Sequence, residues 1–218
     1  MTRPAPLKNV IVPRVSTVCL LMILLLWCGC GQPPMLVQKY LLEYPPPMVE
    51  KTTPLNDSLK VEQFAVAQAF NTTAMVYRTS PYKAENYHYS CWRVNPGYLV
   101  ADYLTRDLRD SHLFKAVLSS DSSSQARFAL EGGVQEIQEL DQGEAWQASL
   151  ALSITLLDTS ENEITRRVLF QKNYQATEAM TEKTPAGLAE AMSRALAQLS
   201  QKIITEVYQA AKQVSSKK

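Results

Sequence analysis

Trp146-Gln-Ala-Ser-Leu-Ala-Leu-Ser-Ile-Thr-Leu156 is the stretch that decides the fold. Trp146, Ala148, Leu150, Leu152, Ile154 and Leu156 fall on every second residue, with Gln147, Ser149, Ser153 and Thr155 between them. Successive side chains of a strand point to opposite faces, so this pattern gives one apolar face and one wet face. Asp158-Thr-Ser-Glu-Asn162 follows as a turn, and Ile164, Val168, Phe170 and Tyr174 predict a return strand. Upstream, Phe128, Leu130 and Val134 supply a third member of the meander, in which Gly132-Gly133 marks a bulge or a close approach.

A sheet with one apolar face needs a cover. The C-terminal region offers one: Thr184-Pro185 caps a helix whose Leu188, Met192, Leu196, Leu199, Ile203 and Val207 recur at spacings of four or three. That stripe reads as core rather than as a lipid-binding face. A second helix is expected from Asn95, as N-cap, with Pro96 at its first position. Val100, Leu104 and Leu108 form its stripe with Tyr103 beside them, and Arg106, Asp107, Arg109 and Asp110 are expected on its wet side. Phe114 to Leu118 then leads into the polar loop Ser119 to Ser124.

Four β-prone runs precede that helix: Met35 to Leu42, Leu59 to Ala67, Met75 to Arg78 and Tyr87 to Trp92. Pro45-Pro46-Pro47, Thr79-Ser80-Pro81 and Glu85-Asn86 read as turn or linker material between them. The predicted fold class is α+β: a single domain with a mostly antiparallel, mixed β-sheet packed against two main amphipathic helices. Its boundaries are 1–29 for a signal peptide, 30–58 for anchor, first strand and Pro-rich linker, 59–213 for the α+β domain, and 214–218 for a polar tail.

The first residues read as an address. Arg3, Lys8 and Arg14 precede the apolar run Val15 to Trp27, 13 residues long. That is short of the roughly 18–20 residues a membrane-spanning helix needs, and it has the length of a signal-peptide core. Trp27-Cys28-Gly29-Cys30-Gly31 follows, and resembles a bacterial lipobox in which small Gly29 precedes a lipidated Cys30. Trp27 stands where a lipobox usually carries Leu. The resemblance implies a diacylglycerol and an acyl chain on Cys30, and Gly31, not being Asp, favours export to the outer membrane over retention in the inner one. Several chains on one cysteine anchor stably, at about 0.8 kcal/mol per buried CH2. An uncleaved anchor and an ordinary secretory signal are the other readings of this segment.

Removing residues 1–29 leaves 19 Lys and Arg against 21 Asp and Glu, a formal charge of −2. Nucleic acid is thereby disfavoured as a partner, because it calls for a basic face. At 46% hydrophobic residues the chain is expected to fold. Only His88 and His112 are present, so no metal site is expected, and Cys91 reads as a buried thiol. Phosphate-loop, dinucleotide, Gly-x-Ser-x-Gly and His-Glu-x-x-His patterns do not occur. His88 and Cys91 lie three apart, an odd offset that points them to opposite faces of a strand.

Eight of the ten tyrosines lie between residues 40 and 103. Tyrosine and tryptophan suit interfaces, being apolar along one side and hydrogen-bonding at the tip. Tyr77, Tyr87, Tyr89 and Trp92, with Arg78 and Arg93 bracketing them, are the candidate partner- or lipid-binding residues. Packing of the sheet accounts for the aromatic residues equally, and surface ion pairs account for the two arginines.

Met75-Val-Tyr-Arg78, Tyr87-x-Tyr89-x-x-Trp92, Pro96 with its Leu-rich helix, and the early Tyr40-Leu41-Leu42 together resemble the ABC-type transport auxiliary lipoproteins of the PqiC/YmbA-like kind. The likeness extends over nearly all of residues 30–213 and rests on order and spacing. His88 and Cys91 depart from the family's usual residues in that interval. The resemblance implies no catalysis. It implies a lipid-anchored accessory whose partners are a periplasmic MCE-domain protein and its ABC permease and ATPase, with the outer membrane reached through the lipid anchor. A homo-oligomer around the exit of an MCE tube belongs to the same expectation. Two rival readings are an outer-membrane assembly or envelope-integrity lipoprotein docking a β-barrel or Tol-like partner, and a lipid-tethered periplasmic enzyme.

Overall fold

The alternating stretch lies in a strand of 14 residues, Ala145–Asp158, and Ala148, Leu150, Leu152, Ile154 and Leu156 are all fully buried. Each such leucine or isoleucine contributes about 1.5–3 kcal/mol of burial. The computed structural model describes residues 35–50, 52–143 and 145–216. The leader, Gly29 and Cys30 lie outside the described residues. The strands are β1 (Gln38–Tyr40), β2 (Leu55–Val61), β3 (Ala65–Val66), β4 (Ala74–Ser80), β5 (Lys83–Trp92), β6 (Phe114–Leu118), β7 (Phe128–Gln142), β8 (Ala145–Asp158) and β9 (Val168–Ala179). The helices are α1 (Pro96–Asp110), the single turn α2 (Ile164–Arg167) and α3 (Pro185–Ser215), with a 3-10 turn at Gln68–Phe70.

β7, β8 and β9 form the expected antiparallel meander, running from Phe128 opposite Asp158 to Gln142 opposite Ala145 on one side of β8. Gly143, with φ of 79°, turns the chain between β7 and β8, in a region that favours glycine. The other edge of β7 is shared end to end by β2, β3 and β4, all parallel to it. β6 extends the sheet beyond β2, while β5 and then β1 extend it beyond β4. The result is a mixed sheet whose long ladders are antiparallel and whose parallel pairings are short. Helices α1 and α3 cover its apolar face, and the described residues from Val37 onward form one compact unit.

Glycine explains how three strands share one edge. The expected strand from Leu59 to Ala67 is broken, because Phe64 turns inward between β2 and β3 and is 3% exposed. A Cβ on Gly132 would lie 2.3 Å from the Phe64 ring, and one on Gly97 would lie 2.3 Å from the Phe64 carbonyl oxygen. Gly132 therefore marks a close approach. The bulge falls just after it, between Val134 and Glu136.

Four further expectations need correction. Ile164 is in the turn α2 and exposed, so the return strand starts at Val168. Glu85 and Asn86 are inside β5, because the hairpin turns earlier, at Pro81-Tyr82. Cys91 is only partly buried. Asp107, expected on the wet side of α1, is 1% exposed. Its carboxylate accepts from the Tyr44 hydroxyl at 2.8 Å, the Ser200 hydroxyl at 2.6 Å and Arg106 Nε at 2.8 Å. Three donors offset the cost of burying that charge. Arg106 also lies over the Tyr44 and Tyr103 rings, and the Tyr103 hydroxyl donates to the Leu42 carbonyl. The segment after β1 is thus fastened to both long helices.

A second hub lies where the β7–β8 ladder begins. Arg127 contacts both Asp57 oxygens at 3.1 Å and Asp158 at 3.3 Å, while Ser215 donates to Asp57 at 2.7 Å. It joins β2, β8 and the end of α3 at the start of β7.

Candidate functional site

Along β7 the inward-facing positions change character. Phe128, Leu130, Val134 and Ile137 are buried core, and the next two inward positions are Glu139 and Asp141. In register, Tyr77 of β4 lies beside Glu139 on one side and Glu85 of β5 on the other. Tyr87 is two residues beyond Glu85 and shares its face. The Tyr87 hydroxyl donates to Glu139 Oε2 at 2.6 Å, and that of Tyr77 donates to Glu85 at 2.5 Å. The two rings sit 5.0 Å apart, inclined at 57°.

Lys183, just before the N-cap of α3, reaches Asp141 at 2.5 Å and lies over the Trp146 ring. Tyr77, Tyr87, Glu139, Asp141 and Lys183 line a cleft of about 350 Å³. Burial pushes the Glu139 carboxyl above the usual carboxylate range, against the pull of the Tyr87 hydroxyl. Burial, with the hydrogen bond to Glu139, raises the Tyr87 phenol. The Lys183 contact holds Asp141 below the usual range, and the Lys83 and Tyr77 contacts do the same for Glu85.

Of the six residues singled out in the sequence, the structure brings Tyr77 and Tyr87 together in this cleft. Arg78 lies on the opposite face, beside Leu140 and Pro81. Tyr89 is half exposed and Arg93 is exposed, with the Arg93 amide donating to the Tyr40 carbonyl at 2.8 Å. Trp92 is 1% exposed and packs in the core, so it has no surface to offer a partner. Sequence reasoning missed Glu139 and Asp141. The signal was present as Ile137-Gln-Glu139-Leu-Asp141, in which the apolar phase of the strand turns acidic.

A curled sheet backed by two long helices, with a polar aromatic cleft beyond the end of one of them, defines a small α+β domain. The chain belongs to the family of ABC-type transport auxiliary lipoprotein components, whose model matches residues 40–204. Membership associates it with an ABC transport system and with the cell envelope, in a family that is not a class of enzymes. No curated protein matches the chain in sequence. In structure it is similar to protein XCC0632 from Xanthomonas campestris, of family DUF330, at 18% identity and a TM-score of 0.68, covering 84% of this chain and 98% of that one. It is also similar to a crystal structure of an uncharacterized protein at 15% identity and a TM-score of 0.63, covering 79% and 99%. These likenesses show a shared fold. Among the described residues, no helix is long and apolar enough to cross a membrane.

Proposed function

We propose that this chain is a lipid-anchored periplasmic accessory subunit of an MCE-type ABC transport system, which moves lipids between the inner and outer membranes. It docks or stabilises the periplasmic MCE component at the outer membrane and performs no catalysis itself. The observation that carries this reading is the family match across residues 40–204. The lipobox-like Gly29-Cys30 junction ahead of the matched region supports it. The exposed Tyr89 and Arg93 on the β5 rim are the proposed partner contacts outside the cleft. Extraction of the native lipoprotein in mild detergent after crosslinking, with mass spectrometry of what accompanies it, tests the reading. An MCE-domain protein is the expected companion. A β-barrel or Tol-type partner alone would replace this function with an envelope-assembly one.

A further inference from the structure

β1 lies at an edge of the sheet, and among the described residues β5 is its only strand neighbour. In a parallel pair, alternate residues turn both backbone groups toward the neighbouring strand. Tyr40 is one of these: it lies beside Trp92, and its carbonyl accepts from the Arg93 amide at 2.8 Å. Lys39 and Leu41 therefore turn their N–H and C=O groups to the open side, where no described residue bonds them. Ser90 and Trp92, the register partners of Gln38 and Tyr40, are buried, so Val37, Lys39 and Leu41 share the outward face with Tyr89, Cys91 and Arg93. Val37, Leu41 and Tyr89 are 53%, 58% and 50% exposed. Lys39 and Arg93 are exposed, and neither forms an ion pair among the described residues. The next acid along the chain, Glu43, has left the strand, its amide donating to the Ser193 hydroxyl of α3 at 2.9 Å.

We propose that β1 is a docking edge, onto which the transport partner adds a short extended segment whose carboxylates answer Lys39 and Arg93 and whose apolar side chains cover Val37 and Leu41. Strand addition supplies main-chain hydrogen bonds for affinity and leaves specificity to alternate side chains. The charges select the occupant. A second copy of this chain pairing through β1 would bring Lys39 and Arg93 against their own counterparts, and like charges across a contact reject that pairing. An acidic segment turns the same two cations into attraction. The open backbone separates a strand from a membrane surface: lipid phosphates offer acceptors alone, whereas a strand meets both the N–H and the C=O groups of Lys39 and Leu41.

The identity of the partner rests on the transport reading; the docking edge and the chemistry it selects do not. A photoreactive amino acid at Val37 of the full-length lipoprotein is irradiated in the native envelope, and the crosslinked peptide is sequenced by mass spectrometry. The expected peptide belongs to an MCE-domain protein and carries acidic residues interleaved with apolar ones, a result that needs no further substitution. Lys39→Glu with Arg93→Glu is expected to lower the adduct yield at least about fivefold, because like charges then face each other across the contact. Leu41→Pro is expected to lower it well below Leu41→Ala, because proline removes an open-edge donor and leaves the pairing with β5 intact. All three positions are exposed, and unchanged melting temperatures confirm that the variants fold. An acidic segment of a different envelope protein, sensitive to the same changes, keeps the docking edge and removes the MCE partner. An MCE adduct indifferent to the charge reversal or to the proline keeps the transport role and overturns the docking edge. Adducts with phospholipid or with a second copy alone, or no adduct at all, overturn it as well.

Discussion

The Tyr44 hydroxyl donates to the carboxylate of Asp107 across 2.8 Å, although the two residues are 63 positions apart and Asp107 is closed to solvent. Tyr44 comes from the segment that follows β1, and Asp107 from the middle of α1. Ser200 of α3 holds the same oxygen at 2.6 Å. One buried carboxylate thus fastens the N-terminal segment to both covering helices. Burial of the phenol and the adjacent Asp107 charge raise the Tyr44 pKa far above its ordinary value, so the hydroxyl keeps its proton in neutral solution.

Tyr44→Phe removes that donor and keeps the ring. A hydrogen bond to a charged group contributes about 1.5–3 kcal/mol, so the variant is expected to lose roughly that much in urea unfolding, with an unchanged m-value. An unaltered midpoint would mean that the hydroxyl is not needed to hold Asp107.

Gly132→Ala places a methyl group on the Phe64 ring, which already lies 2.3 Å from that position. Overpacking of this kind costs about 1–3 kcal/mol. Shortening the neighbour as well, in Gly132→Ala with Phe64→Leu, is expected to cost less than the sum of the two single changes. Additive losses would show that Phe64 does not meet Gly132.

Stability on the acid side is expected to depend on Asp158. Burial would raise its carboxyl, but the Ser160 hydroxyl and amide and the Arg127 guanidinium outweigh burial and hold it below the usual range. A lowered folded value contributes stability above the unfolded pKa of about 3.9, and that contribution fades as pH falls through the folded value. Asp158→Asn should therefore be less stable than the native chain at pH 6 and approach it as pH falls below about 4. Parallel pH profiles for the two proteins would contradict this.

Cys30→Ser is expected to accumulate as a precursor that keeps residues 1–29 and fails to reach the outer membrane. Intact mass and membrane fractionation read both effects. Normal processing and sorting of the variant would remove the lipobox assignment.

What the sequence made legible was set by local period. The two-residue alternation around Leu150 and the helical stripe through Leu196 lead directly to buried residues, because each element carries its own apolar face. Asp107 was misplaced because its i, i+3 and i+4 neighbours say nothing of Tyr44 and Ser200, which arrive from 63 and 93 residues away. The stacking of β2, β3 and β4 along one edge of β7 is likewise a property of distant pairings. In the cleft, Tyr77 and Tyr87 were recognisable by type. Glu139 was not, because a carboxylate in a strand reads as a wet-face residue until its neighbours enclose it.

Crosslinking in intact cells tests the central claim most directly. A photoreactive amino acid at Tyr89 or Arg93, both exposed on the β5 rim, is irradiated in the native envelope, and its adducts are identified by mass. The account predicts adducts with an MCE-domain protein from at least one of these positions. Adducts with a β-barrel or Tol-type protein, with no MCE-domain protein from either position, would contradict it.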